Sequence, residues 1–254
     1  MRAKLAARRT LALVTLTKKE PWLSRWNPVK LGWAVHLFTT TGALAGMLAL
    51  EAVYQGREKT AIFFLLLTQV IDGVDGPMAR SCDVKTNVPK VDGYVLDLVI
   101  DYVTCVVVPA VFLHQFDLLP DSFSLPIAGA VVFMSAIWFA RTDMMTEDNW
   151  FRGFPATWNL IVPTLLIMGS SQWMNAAIVG VLAALMLTDV KFPHPVRVTQ
   201  NRWLTLPMTA LWLASLAWGT CKYPTNSMPA QGVLWSCIVY YGYICFRKTV
   251  KSPR

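Results

Sequence analysis

Long apolar runs separated by short polar stretches make up most of this chain. Eight apolar segments can be traced, at residues 31–54, 60–80, 93–114, 123–140, 155–169, 173–189, 204–219 and 230–246. The first four reach the roughly 17–25 residues that a membrane-spanning helix needs, while the fifth and sixth are shorter. The pattern predicts an all-α fold: a polytopic membrane helical bundle of about eight transmembrane helices, with no internal linker long enough to divide it.

Composition agrees with a membrane protein. Hydrophobic residues make up 55% of the chain and charged residues 15%, and the mean hydropathy is +0.44. Such values are typical of integral membrane proteins. The five cysteines contain no C-x-x-C pair, so the sequence indicates no disulfide framework.

Basic residues are distributed unevenly between the two sides that eight crossings would create. With the N-terminus in the cytosol, twenty of the 23 lysines and arginines lie on the cytosolic side, and only Arg57, Lys59 and Lys222 lie opposite. This asymmetry predicts that both termini are cytosolic. A net charge of +8 then fits contact with anionic lipid head groups and requires no nucleic-acid partner.

Three regions are expected along the chain. Residues 31–246 form the membrane domain, and residues 247–254 form a basic cytosolic tail. Residues 1–30 are basic and contain no acidic residue before Glu20. We interpret this first region as an amphipathic N-terminal segment lying on the cytosolic leaflet, with an organelle transit peptide as the alternative.

Four aspartates interrupt the second and third apolar segments. Asp72 and Asp75 are three residues apart in DGVDGPMAR, and Asp97 and Asp101 are four apart in GYVLDLVID. Both spacings place a pair of carboxylates on one helix face. A single polar loop joins the two segments, so both pairs should lie at the same depth near the cytosolic interface. Ionisable groups inside membrane helices are costly and mark functional sites.

The aspartates predict a metal site. Facing carboxylates repel one another unless a cation lies between them. Ligation by carboxylates alone is typical of hard cations such as Mg²⁺ or Mn²⁺. The sequence therefore predicts a divalent metal site between two transmembrane helices. A cation transporter or ion channel using the same carboxylates is an alternative from a different functional class.

The same segments resemble the signature of the CDP-alcohol phosphotransferase family. That signature is D-x-x-D-G-x-x-A-R, a spacer, then G-x-x-x-D-x-x-x-D. Every position is filled here, by Asp72, Asp75, Gly76, Ala79, Arg80, Gly93, Asp97 and Asp101. The spacer between Arg80 and Gly93 has twelve residues, where eight are common in the family. The signature itself covers about 30 residues of the chain.

The resemblance implies roles for these residues. The four aspartates are implied as ligands of two Mn²⁺ or Mg²⁺ ions, and Asp101 also as the catalytic base that takes the proton of an acceptor hydroxyl. For the substrate CDP-diacylglycerol, Gly76, Ala79 and Gly93 would make room for the cytidine. Arg80 would bind phosphate oxygens through its planar guanidinium.

A narrower resemblance points to one branch of the family. FRGFPATWN at 151–159 and HPVRV at 194–198 are similar to segments of bacterial phosphatidylcholine synthases. This implies the reaction of CDP-diacylglycerol with choline, giving phosphatidylcholine and CMP. It also implies a bacterial inner membrane location with the site facing the cytosol, and a homodimer is a further expectation. Serine, inositol and glycerol phosphate stay alternative acceptors. An acceptor that carries phosphate would need further basic residues near the aspartates, and Arg141, Arg152 and Arg197 are predicted on the same side.

The acceptor pocket is sought among aromatic residues, since aromatic faces bind quaternary ammonium groups. Tyr102 directly follows Asp101, and Trp138 and Trp158 lie near the cytosolic ends of the fourth and fifth segments. These three are the predicted acceptor-binding residues, with anchoring at the membrane interface as the alternative role. Further candidates are Trp150 for the ammonium group, Asp143, Glu147 and Asp148 as its counter-charge, and His194 and Arg197 for lipid phosphate.

Overall fold

Helices account for about three quarters of the chain that the computed structural model describes, which is residues 27–251. The helices are α1 Pro28–Tyr54, α2 Glu58–Ser81, the short α3 Val84–Asn87, α4 Gly93–Gln115, α5 Asp121–Phe139, α6 Trp158–Met168, α7 Gln172–Leu185, α8 Arg202–Lys222 and α9 Met228–Lys251. The predicted all-α polytopic membrane fold is confirmed. The predicted amphipathic segment falls almost wholly outside the described residues.

Five of the described helices, α1, α2, α4, α5 and α8, are long and apolar enough to cross a membrane. Helices α6 and α7 are apolar but have only 11 and 14 residues. Helix α9 has 24 residues and continues through Lys251, so the first part of the predicted basic tail is helical. The eight predicted segments correspond to eight helices, and the number that cross the bilayer stays a prediction.

Helix α1 packs closely against α4 through glycine. A side-chain carbon at Gly46 would lie 2.7 Å from Cγ2 of Thr104, and one at Gly42 would lie 3.3 Å from Cγ2 of Ile100. Real side chains do not tolerate the first distance, so Gly46 is required for this approach. Small residues at such spacing are a usual means of bringing membrane helices together. The contact holds α4 with its aspartates against the first two helices.

Helix α4, which forms the third apolar segment, has a side-chain cap at its start and a π-helical stretch in its middle. Asp92 caps α4 by accepting hydrogen bonds from the backbone N–H groups of Tyr94 and Val95, at 3.0 and 3.3 Å. A wider π-helical stretch, Tyr102–Val107, follows Asp101 immediately before α-helical geometry resumes. Such stretches inside α-helices are frequent at functional sites. This stretch changes the side of the helix on which every later residue lies, relative to Asp101.

A small antiparallel sheet joins two distant segments. Strand β1, Trp150–Arg152, pairs with β2, Lys191–Pro193, with Phe151 opposite Phe192. We use the name ribbon for these two strands together with the turn 194–198 that follows β2. The backbone N–H of Lys191 donates to Oγ1 of Thr249 at 2.9 Å, so the ribbon is tied to the end of α9. The all-α prediction did not include this sheet.

Candidate active site

Three of the predicted metal ligands come together between α2 and α4. Asp72, Asp97 and Asp101 each offer a carboxylate oxygen, and these oxygens all lie within 4.8 Å of one another. We call these three residues the carboxylate cluster. The four-residue spacing aligns two of them on one face of α4, and the close packing of the helices brings the third from α2. Each of the three is partly buried.

The fourth aspartate lies beside the cluster and outside the group of three. Asp75 is 5% exposed, and it lines a cavity together with Asp97. Thr39 on α1 lines the same cavity. The structure thus places Asp75 at the junction of the cluster and the cavity.

The cluster fits a divalent cation. Its donor set is carboxylate oxygen alone, which hard cations such as Mg²⁺ and Mn²⁺ prefer. Oxygens bound to a common ion at about 2.0–2.6 Å lie at most roughly 4–5 Å apart, and the spread of 4.8 Å is compatible with that limit. Nε2 of Gln69 donates to Oδ2 of Asp72 at 3.4 Å, which restrains that carboxylate.

A cavity of about 780 Å³ adjoins the cluster. This size falls within the usual range for small-molecule sites. The remaining signature residues all line it, although twelve residues separate Arg80 from Gly93. The lining includes Asp75, Gly76, Ala79, Arg80, Gly93 and Asp97 from the signature, and His36, Thr39, Lys85, Tyr94 and Arg197 from outside it.

Both signature glycines lie where little further volume is available. A side-chain carbon at Gly76 would lie 3.2 Å from Nη1 of Arg80, so the guanidinium folds back over that glycine. A side-chain carbon at Gly93 would lie 3.1 Å from Cε1 of His36. The unusually long spacer therefore leaves Gly93 in the cavity wall, facing the first helix.

Two further cavity residues lie outside the family signature: His36, which was not predicted from the sequence, and Arg197, which was predicted only as a candidate contact for lipid phosphate. His36 on α1 is 5% exposed, and its Nε2 has no hydrogen-bond partner among the described residues. The sequence feature that could have identified His36 is its position as a polar residue in an apolar helix, one turn before Thr39. Arg197 reaches the cavity from the ribbon. Its positive charge lies close enough to act on Asp72, Asp75 and Asp97.

The predicted acceptor residues pack into the protein interior. The hydroxyl of Tyr102 donates to the carbonyl of Val132 at 3.1 Å. Nε1 of Trp138 donates to the carbonyl of Arg152 at 2.9 Å, and Nε1 of Trp158 donates to Oγ of Ser135 at 3.0 Å. None of the three lines the described cavity.

Two of these aromatic residues nevertheless share a neighbour. Phe139 makes edge contacts with Tyr102 and with Trp138, with ring centroids 5.8 and 5.2 Å apart. Tyr102 is the residue after Asp101 in the chain, so its backbone adjoins the base predicted for the acceptor, while its ring packs toward Phe139. Trp158 packs elsewhere, against Phe154 at 5.0 Å.

The other acceptor candidates lie around the ribbon, outside the cavity. Asp143 pairs with Arg141 at 2.9 Å, and Asp148 pairs with Lys248 at 2.6 Å. These hydrogen bonds hold the pKa of both carboxyls below their usual range. Trp150 is 4% exposed, and Glu147 is exposed. Asp143 and Asp148 already have cationic partners within the protein, so neither supplies a free counter-charge to the cavity.

A membrane helical bundle that carries a carboxylate cluster beside a cavity lined by both acidic and basic residues defines a class of protein. It is an integral membrane protein whose carboxylate cluster fits a divalent cation. A model of the CDP-alcohol phosphatidyltransferase family matches residues 34–216. The chain therefore belongs to that family, whose members are divalent-metal-dependent enzymes.

Several relatives carry the name of one enzyme within the family. A phosphatidylcholine synthase of Pseudomonas aeruginosa is 36% identical over 220 residues, covering 87% of this chain and 92% of the relative. One of Mesorhizobium japonicum is 38% identical over 214 residues, covering 84% and 78%. One of Agrobacterium fabrum is 37% identical over 212 residues, covering 81% and 88%.

Proposed function

We propose that this protein transfers a phosphatidyl group from CDP-diacylglycerol to the hydroxyl of choline, giving phosphatidylcholine and CMP. The observation that carries the proposal is the carboxylate cluster beside a cavity that Arg80, Lys85 and Arg197 line, in a chain similar over most of its length to phosphatidylcholine synthases. The proposal names the enzyme a CDP-diacylglycerol–choline O-phosphatidyltransferase.

The cavity is the proposed site for the nucleotide part of the donor. Gly76, Ala79 and Gly93 form part of its wall with small or absent side chains, and Arg80 lines it as well. A guanidinium suits bidentate binding of phosphate oxygens. The two acyl chains then extend between helices into the bilayer, because apolar chains partition into the hydrocarbon core.

The carboxylate cluster is the proposed site for the chemistry. Asp72, Asp97 and Asp101, with Asp75 beside them, would hold two Mg²⁺ or Mn²⁺ ions, which neutralise phosphate charge when bound. An oxygen of Asp101 takes the proton from the acceptor hydroxyl. The resulting alkoxide oxygen forms a bond to the phosphorus that carries diacylglycerol. The bond from that phosphorus to the bridging oxygen breaks, and CMP leaves with the electron pair.

The acceptor is proposed to approach Asp101 from the aromatic side. Tyr102, which follows Asp101 in the chain, and Trp138 both contact Phe139, and aromatic faces bind a trimethylammonium group. Because these rings are packed against one another, choline binding on this side requires them to separate.

The proposed location is the bacterial inner membrane, with the site facing the cytosol. Support comes from the basic residues around the cavity, which include Arg80, Lys85 and Arg197, since such residues favour the cytosolic side. Single cysteines at Lys90 and at Ser122, in a background without Cys82 and Cys221, test it. Membrane-impermeant reagent added outside should label position 122 and spare position 90. Labelling of position 90 alone would show that the protein has the opposite orientation in the membrane.

An acceptor panel tests the proposed reaction. Purified protein with CDP-diacylglycerol and Mn²⁺ should release CMP rapidly with choline and slowly with ethanolamine, which is more strongly hydrated and fills an aromatic pocket less well. Serine, inositol and glycerol 3-phosphate should give hardly any product. Efficient use of inositol or glycerol 3-phosphate without use of choline would overturn the acceptor assignment. Absence of CMP release with every acceptor would overturn the enzyme assignment.

The homodimer stays a prediction, which mass measurement in lipid nanodiscs would test.

A further inference from the structure

We propose that Arg197 of the ribbon binds the diphosphate of the donor opposite Arg80, and that His194 is the positioning residue that aims it. This inference rests on the proposed use of a nucleotide diphosphate donor, and it adds a binding residue from outside the family signature. The function assigned to the ribbon is to bring the guanidinium of Arg197 to a cavity otherwise formed by the first four helices.

The turn that carries Arg197 is fastened by a histidine ring. Nδ1 of His194 accepts hydrogen bonds from the backbone N–H groups of Val196 and Arg197, at 3.2 and 3.4 Å. The carbonyl of His194 accepts from the backbone N–H of Val198 at 3.2 Å. Side chains that bond the backbone two and three residues ahead fix turns in this way. The direction in which Arg197 leaves the turn is thus set by His194.

The histidine is itself held by the sheet. Its ring stacks on Phe151 of β1, with centroids 5.3 Å apart and planes 15° from parallel. Its backbone N–H donates to the carbonyl of Asn149 at 3.4 Å. Phe151 lies opposite Phe192 in the strand pairing. A chain of contacts therefore runs from the sheet through the imidazole to the turn.

The hydrogen bonds also define the protonation state of the ring. A nitrogen that accepts two N–H groups carries no proton, so the neutral ring bears its proton on Nε2. Burial and the positive charges of Arg197 and Arg80 lower the pKa of His194 to about 4. At neutral pH the ring is therefore a pure acceptor toward the turn.

The placement of Arg197 favours the donor over the acceptor. Its guanidinium lines the same cavity as Arg80, and the two positive charges lie close enough to act on one another. Both guanidiniums also act on the carboxylate of Asp75, and their planar N–H groups suit paired hydrogen bonds to the oxygens of a diphosphate. Choline offers these N–H groups no acceptor of that kind. Arg197 should therefore affect binding of the donor and leave binding of choline unchanged.

Binding of CDP with Mn²⁺ to the full-length protein in nanodiscs tests the role of Arg197 without any acceptor. Arg197→Gln should weaken CDP affinity about 10- to 100-fold, the loss expected for charge-assisted hydrogen bonds. The matched control Arg202→Gln removes an exposed arginine at the start of α8 and should leave affinity unchanged. Equal affinity of Arg197→Gln and wild type would overturn the proposal. Because no acceptor is present, a wrong choice of choline would not affect this result.

Two substitutions of His194 separate positioning from packing. Asn can accept the same backbone N–H groups as Nδ1 does, whereas Phe retains the stack on Phe151 and loses the acceptor. CDP affinity should therefore be retained better in His194→Asn than in His194→Phe, with the Michaelis constant for choline unchanged in both. The reverse order would show that packing alone matters, and would overturn the positioning role.

A double substitution covers the case in which His194→Phe loosens the fold. If His194 acts through Arg197, adding His194→Phe to Arg197→Gln should weaken CDP binding no further. Thermal unfolding of each variant, measured beside affinity, reports general damage. Additive losses in the double variant would mean that His194 does not act through Arg197, and the inference would fail.

Discussion

The carboxylate cluster and the ribbon face the same cavity, and they are built in different ways. The cluster takes its geometry from helix periodicity, because Asp97 and Asp101 lie one turn apart on α4 and Asp72 faces them from the neighbouring α2. The ribbon depends on pairing between residues about 40 positions apart along the chain, with Phe151 opposite Phe192. It then positions a single side chain, Arg197, through one imidazole.

This difference indicates how each region can fail. Removal of one carboxylate changes the chemistry and leaves the helices in place, because helix backbone hydrogen bonds do not depend on that side chain. A change in the ribbon moves Arg197, whose charge acts on Asp72, Asp75 and Asp97, but it leaves all four carboxylates in the protein. We therefore expect defects in turnover from the cluster and defects in donor binding from the ribbon.

The largest effect is expected in the cluster. Asp101→Asn removes the proposed base and should lower kcat by about 10²- to 10⁴-fold, and Asp72→Asn, Asp75→Asn and Asp97→Asn should also nearly abolish turnover. Thermal stability without metal should be unchanged or higher, because each substitution relieves repulsion between carboxylates. Asp121→Asn, at the exposed start of α5, is the matched control. Activity close to wild type in any two of the four variants would contradict the site assignment.

An intermediate effect is expected from one glycine beside the ribbon. Gly153 has φ of +78° and donates its N–H to the carbonyl of Val190 at 2.9 Å. A side-chain carbon there would lie 2.2 Å from the carbonyl oxygen of Met186. Gly153→Ala should destabilise the protein by about 1–3 kcal/mol from backbone strain alone and should weaken CDP binding by shifting the ribbon.

The matched control for that change is Gly180→Ala. A side-chain carbon at Gly180 would meet nothing within 4 Å, and alanine is favoured over glycine inside a helix by roughly 0.5–1 kcal/mol. The free energy of unfolding should therefore fall in Gly153→Ala and rise slightly in Gly180→Ala. CDP affinity should fall in Gly153→Ala alone. Equal stability of both would show that the chain at Gly153 relaxes without cost, and that the ribbon is less rigid than its contacts indicate.

The smallest effect is expected from pH. The folded pKa of His194, about 4, lies below its usual value of about 6.5. The unfolded chain therefore binds a proton at higher pH than the folded protein, so the stability contributed by the neutral ring is present above pH 6.5 and lost as pH falls toward 4. The loss should stay below about 1.4 kcal/mol per pH unit.

The His194→Asn variant isolates that contribution. The aspartates titrate in both proteins, so the difference in unfolding free energy between wild type and variant, measured from pH 7 to pH 5, should report the imidazole alone. Wild type should lose more stability than the variant across this interval. Parallel curves would show that His194 is not held neutral in the folded protein.

The sequence predicted the cluster better than the ribbon for physical reasons. Spacing along a helix determines which residues share a face, so Asp97 and Asp101 could be paired without any knowledge of tertiary structure. Pairing of two three-residue strands leaves no comparable periodic signal. The segments FRGFPATWN and HPVRV were recognised as similar to a known branch, but their contact with each other, and the entry of Arg197 into the cavity, depend on long-range packing.

The aromatic residues show the same limit. Trp138 and Trp158 were predicted from their positions along the chain to bind the acceptor. The structure shows that the indole N–H of each is bonded inside the protein, to the carbonyl of Arg152 and to Ser135. Hydrophobicity and position along a helix do not distinguish a ring that lines a pocket from one that fills the core.

The most direct test of the division between chemistry and donor binding compares Asp101→Asn with Arg197→Gln. Formation of phosphatidylcholine and binding of CDP should be measured for both variants in the same nanodiscs with Mn²⁺ and choline. Asp101→Asn should lose turnover far more than CDP affinity. Arg197→Gln should lose affinity and recover most of its turnover at saturating CDP-diacylglycerol. If both variants instead lose the same property to the same extent, the cluster and the ribbon do not have separate functions, and this account is wrong.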